Sequence, residues 1–111
     1  MRRIAAHKLY LPDNPGKCIN YPVVEIEGDT VVNYYPIEEE LPVTEWLGGT
    51  FILSPLSEVF PAPDDTLLTL VKKLLNAGDG RYPLYCWHTP TTQIDKDFVS
   101  STAISLLHEY N

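Results

Sequence analysis

Ten prolines and six glycines are spread through the 111-residue chain, and they cut it into short apolar segments instead of gathering in one linker. No domain boundary is visible, so residues 1–111 are expected to form a single domain around one core, as the length also requires. Hydrophobic residues make up 44% of the chain, enough for that core and far from the composition of a disordered segment. No repeat or low-complexity tract interrupts it, and Glu38-Glu39-Glu40 reads as a solvated acidic loop.

The first half has the pattern of strands. Arg3 to Leu11 forms the first, with a turn expected at Pro12-Asp13-Asn14-Pro15-Gly16. Cys18 to Glu27 and Thr30 to Ile37 flank Gly28-Asp29, and glycine at the first central position suits a two-residue type II′ hairpin because it takes positive φ without a Cβ clash. A loop through Pro36, Pro42, Trp46 and Gly48-Gly49 leads to Thr50–Ser54, an apolar β-prone run stopped by Pro55 and expected to be buried.

After Asp64-Asp65 the period changes. Leu67, Leu68, Leu70, Val71, Leu74 and Leu75 recur at helical spacing, with Lys72-Lys73 opposite and Gly78 as a stop. Tyr82 to Thr89 follows as a strand, with Leu84, Cys86 and His88 on one face and Tyr85 and Trp87 on the other. Asp95 to Tyr110 reads as an amphipathic helix through Phe98, Val99, Ala103, Ile104, Leu106 and Leu107, with His108 at its boundary. The expected class is α+β: an N-terminal antiparallel β-meander, as a small sandwich or partial barrel, followed by helix, strand, helix. That order offers no crossover for a dinucleotide, and Gly48-Gly49 lacks the spacing and following lysine of a phosphate loop.

The net charge of −7 repels a phosphate backbone, which argues against nucleic acid as a partner. Met1 to Lys8 shows no charged start running into an apolar core, and no stretch approaches the ~20 apolar residues of a membrane span. The expected setting is the cytoplasm, without a membrane partner. Cys18 and Cys86 are expected as free, buried thiols, with a single bridge formally open in an oxidising compartment.

The feature nearest to chemistry is Cys86-Trp87-His88, where alternation puts a thiol and an imidazole on one side of a strand. With His7 and Cys18 they make four candidate zinc ligands, but closely paired ligands are missing, so packing is the expected role and no metal or other cofactor is expected. A Cys nucleophile activated by His needs the two groups in hydrogen-bond reach, which neighbours two apart on a strand rarely achieve. No catalytic residue is assigned. Asp64, Asp65, Asp95 and Asp97 are expected as helix caps, and most tyrosines and tryptophans as core or half-buried sheet surface.

Ile4-Ala5-Ala6 to Leu11-Pro12-Asp13, the hairpin about Gly28-Asp29, and Gly48-Gly49-Thr50-Phe51-Ile52-Leu53-Ser54-Pro55 together resemble the small composite β domain of metal-dependent hydrolases, the amidohydrolases. The likeness covers about residues 3 to 55. In that family a His-x-His motif opens the catalytic barrel next, whereas here the chain continues Leu56-Ser57-Glu58-Val59-Phe60. A barrel also needs roughly 200 residues or more. The resemblance therefore implies a composite-domain-like scaffold without its enzyme, and none of the family's functional residues carries over.

Two functions follow as expectations. The first is a non-catalytic domain acting by association with itself or another protein, through aromatic residues such as Tyr34, Tyr35, Trp46, Tyr85 and Trp87 that a small chain leaves partly uncovered. The alternative is a ligand-binding or enzymatic protein with a pocket near His7, Cys86 and His88.

Overall fold

A computed structural model describes residues 1–11, 14–37, 44–59, 66–76, 83–92 and 104–109. They form β1 (Arg2–Ala5), β2 (Lys8–Leu11), β3 (Asn14–Asn20), β4 (Pro22–Glu27), β5 (Thr30–Pro36), β6 (Glu45–Trp46), β7 (Thr50–Ser54), α1 (Leu67–Asn76), β8 (Tyr85–Thr89) and β9 (Ser105–Leu106). The strands make two mixed sheets, β5-β4-β1-β6 and β3-β2-β7-β8-β9. Strands dominate an α+β arrangement with one short helix among the described residues. None of the described helical residues forms a helix long and apolar enough to cross a membrane.

The β4–β5 hairpin forms at its expected glycine. Gly28 has φ 65°, Asp29 stays out of the left-handed region, and Glu27 faces Thr30 across the turn. This is the glycine-first pattern of a type II′ turn, whose twist matches that of the flanking strands. The register shifts between Glu25 and Ile26, so Val32 bulges and stands half exposed.

Elsewhere the strands break where the sequence shows continuous runs. Arg3–Leu11 divides into β1 and β2, and Cys18–Glu27 into β3 and β4, each half in a different sheet. The turn expected from Pro12 to Gly16 is also shorter, because β3 begins at Asn14, which pairs with Leu11. Three lengths of chain lie side by side twice, as β4-β1-β6 and as β3-β2-β7. The expected antiparallel meander is corrected here, because β1 with β6 and β2 with β7 pair in parallel. β5 and β6 lie at opposite edges of their sheet, so no tight hairpin joins them and the antiparallel direction that a hairpin imposes is not required of β6.

Alternation then sorts the side chains into layers. Ile4, Leu9, Leu11, Val24, Ile26, Phe51, Leu53 and Cys86 meet between the sheets. Ile52 and Trp87, from the opposite faces of β7 and β8, meet Leu70, Val71, Leu74 and Leu75 of α1. Each fully buried aliphatic or Phe side chain contributes roughly 1.5–3 kcal/mol, so these two layers are the main source of stability. Two polar groups caught inside are bonded, Ser54 Oγ donating to Leu74 O at 2.8 Å and Trp87 Nε1 to Leu56 O at 3.0 Å, whereas among the described residues the buried Thr44 and Thr89 hydroxyls have no hydrogen-bond partner. The start of α1 is capped by Thr66, whose Oγ1 accepts from Thr69 N–H at 3.4 Å while Thr69 Oγ1 accepts from Thr66 N–H at 2.8 Å. Asp64, Asp65 and Gly78 lie outside the described residues.

The expected closing helix is also corrected. Residues 104–109 are not helical; Ser105 and Leu106 pair antiparallel with His88 and Trp87, while residues 93–103 lie outside the description. Ile104 and Leu106 pack in the helix-side layer and Leu107 between the sheets, so the apolar residues of β9 and its flanks serve both layers. Such a strand lacks a period-two signal and its apolar spacing passes for a helix. Beyond it, Glu109 N–H donates to Gly28 O at 2.6 Å, Glu109 Oε1 accepts from Gly28 N–H at 2.9 Å, and Glu109 Oε2 pairs with the Met1 amine. Val31 N–H donates to Leu84 O at 2.8 Å and joins the two sheets on that side.

Candidate functional site

Among the described residues a closely tied region is the crease where all three chain lengths pass from one sheet to the other, at Ala6–His7, at Tyr21 and at Leu47–Gly49. Backbone bonds tie the crossings together. Tyr21 N–H donates to His7 O at 2.8 Å, Ala6 N–H to Pro22 O at 3.3 Å, Leu47 N–H to Ala5 O at 2.9 Å, and His7 N–H to Gly49 O at 3.1 Å.

Two of the crossings use left-handed backbone. Gly48 and Gly49 have φ 70°, and a Cβ on Gly49 would lie 2.1 Å from Thr89 O, so neither the conformation nor the space admits a side chain there. Tyr21 has φ 50° without being glycine. That is an outlier for a bulky residue, and it persists because bonds on both of its backbone groups, to His7 O and from Ile37 N–H, determine it.

The imidazoles hold the diglycine from two sides. His7 Nδ1 accepts from Gly49 N–H at 3.1 Å and so carries no proton in this arrangement, while His88 Nε2 donates to Gly48 O at 2.9 Å. The His7 ring in turn meets Trp46 at 4.8 Å between centroids and 77° between planes, and Tyr21 at 6.2 Å and 53°. Tyr21 and Trp46 are each 56% exposed, the two exposed aromatic side chains among the described residues.

Cys86 does not join this group. It is 1% exposed and belongs to the layer between the sheets, where burial pushes its thiol up against a smaller opposing pull from Arg2. The Cys86 S–H donates to Trp87 O at 3.9 Å. His88 shares the Cys86 face as expected, and its ring lies 5.7 Å from Phe51. Cys18 is free and half-buried on β3, rather than buried as expected, and His108 is half-buried in an extended segment. Among the described residues no three His, Cys, Asp or Glu side chains converge as metal ligands.

Of the aromatics expected to stay partly uncovered, Trp46 is exposed, Tyr34, Tyr35 and Tyr85 are half-buried, and Trp87 is buried. Tyr35 joins a polar cluster on β1, β4 and β5. Glu25 Oε2 accepts from Arg3 Nε at 2.9 Å and from Tyr35 OH at 3.0 Å. Burial raises the Glu25 carboxyl, but the bonds from Arg3 and Tyr35, the Arg3 charge and Asn33 outweigh it and leave it below its ordinary value. This cluster links neighbouring strands of one sheet through its own side chains.

Sequence reasoning identified His7, Trp46 and the diglycine separately but read Tyr21 as a strand residue. Pro22 after it signals a break without specifying its handedness. Compared with known proteins, the chain matches no family model and no curated protein.

Proposed function

We propose that the chain is a non-catalytic domain that works by association with another protein or a second copy, and that the crease is its contact face. One observation carries the reading: Tyr21 and Trp46 stand side by side with His7, more than half exposed, on backbone that holds Tyr21 in a strained conformation. Exposed Tyr and Trp on rigid backbone are typical anchors of interfaces, and a residue held in strained backbone points toward use rather than packing. The burial of Cys86 and the attachment of one nitrogen of each imidazole to the diglycine favour this over a catalytic pocket.

The scaffold proposed to carry the face is the composite-domain-like β unit. The hairpin at Gly28-Asp29 and the buried strand after Gly48-Gly49 support that likeness. Two free thiols support a reducing, cytoplasmic setting.

Light scattering coupled to size exclusion at about 100 μM, at low and high salt, is the test for self-association, with cross-linking in extracts of the source cells for another partner. A mass above 12.6 kDa, or a saturable partner, each lost in Trp46→Ala, is expected. A strict monomer that captures no protein in a Trp46-dependent way overturns the proposal.

A further inference from the structure

We infer that the crease receives a cationic side chain, the guanidinium or ammonium of a basic segment on a partner protein. This deepens the association reading and rests on it. The argument starts from the three rings. Trp46 and Tyr21 are steeply inclined to the His7 ring at 77° and 53°, so they do not form a flat apolar platform. Aromatic side chains that keep more than half of their surface exposed, as Tyr21 and Trp46 do, can attract a cation through the ring quadrupole, and Trp does so best.

Their arrangement exists before any ligand arrives. His7 is held by the Gly49 N–H, and the backbone of Tyr21 by His7 O and Ile37 N–H. A site set in advance orders little on binding, which matters for a contact as modest as a single cation on rings.

Charge selects the occupant. The chain carries a net −7, which draws a basic segment from a distance and repels an acidic one. Close by, the two arginines of β1 are committed, Arg2 to Glu45 at 3.0 Å and His108 O at 2.9 Å, and Arg3 to Glu25 at 2.9 Å. Lys8 shares its strand face with Tyr10, which packs on the helix-side layer. Arg2 and Arg3 are therefore engaged with their own partners, so neither competes for the rings with an incoming cation.

The experiment is calorimetric titration of the intact chain with a short, end-blocked arginine homopeptide and, separately, a glutamate homopeptide. Saturable binding of the first and none of the second is expected. Trp46→Leu, which keeps apolar bulk without the ring, should weaken binding about tenfold, and Trp46→Phe should recover most of it. Tyr21→Gly removes a ring while suiting the left-handed backbone, so it separates loss of binding from loss of folding. Equal binding by wild type and Trp46→Leu, or no binding of the arginine peptide, overturns the inference. Trp46-dependent association in light scattering with no arginine binding would leave the association reading standing and remove only the cation.

Discussion

The hairpin tip and the crease both turn on glycines in left-handed backbone, yet for different reasons. At the tip, Gly28 has φ 65° and a Cβ there would meet nothing within 4 Å. At the crease, Gly49 has φ 70° and its Cβ would be driven into the backbone of Thr89 and Pro90. The first glycine answers a conformational demand alone, the second a conformational and a spatial one. The crease further holds Tyr21 at φ 50°, so its hydrogen bonds can impose on an ordinary residue what the tip requires from glycine.

The largest effect should therefore come from Gly49→Ala, a loss of about 3 kcal/mol or more from strain plus overlap with backbone that cannot rotate away. Denaturant unfolding measures it, and a loss below about 1 kcal/mol would erase the distinction between the two sites. Gly28→Val should cost about 1–2 kcal/mol, from strain alone. Unchanged stability would show that the turn and the β4–β5 register are wrong.

A third experiment separates how the two regions are fastened. The hairpin arm is tied to β1 by Arg3, Glu25 and Tyr35, and the crease largely by backbone. Because the native Glu25 carboxyl is held below its ordinary value of 4.5, its stabilisation is complete above that value and disappears as pH falls through the lower native one. Glu25→Gln should thus cost about 1 kcal/mol near neutrality and progressively less in acid. A gap between the two proteins that stays constant from pH 7 to about pH 3 would contradict this. The smallest effect is expected from Tyr21→Gly, within about 1 kcal/mol of wild type because relief of strain offsets the lost ring contact and the added chain entropy. A much larger loss would make the Tyr21 ring a structural element.

The same contrast explains what could be read from the sequence. The hairpin was legible because its cause is local: a glycine between two β-branched runs. The helix was legible because leucines at one spacing face one layer. The crease was not, because Tyr21 and His7 are turned by partners elsewhere in the chain, His7 by Gly49 and Tyr21 by His7 and Ile37. Ile104 and Leu107 misled for a related reason, since they serve different layers and so lose the strand's alternation. At the candidate site the sequence showed His7, Trp46 and Gly48-Gly49 as unrelated features; only the crossing of three strands makes them neighbours.

That crossing has a mechanical consequence. Two sheets joined by one strand could open like a door, but here three strands cross together and are riveted to one another across the line, so bending at any one of them must break bonds of the others. The amides of His7, Tyr21 and Gly49 should accordingly exchange with solvent hydrogen only when the whole domain opens. Among the described residues the joint between the sheets is then a braced line rather than a loose hinge, and rings mounted on it are presented on an anvil.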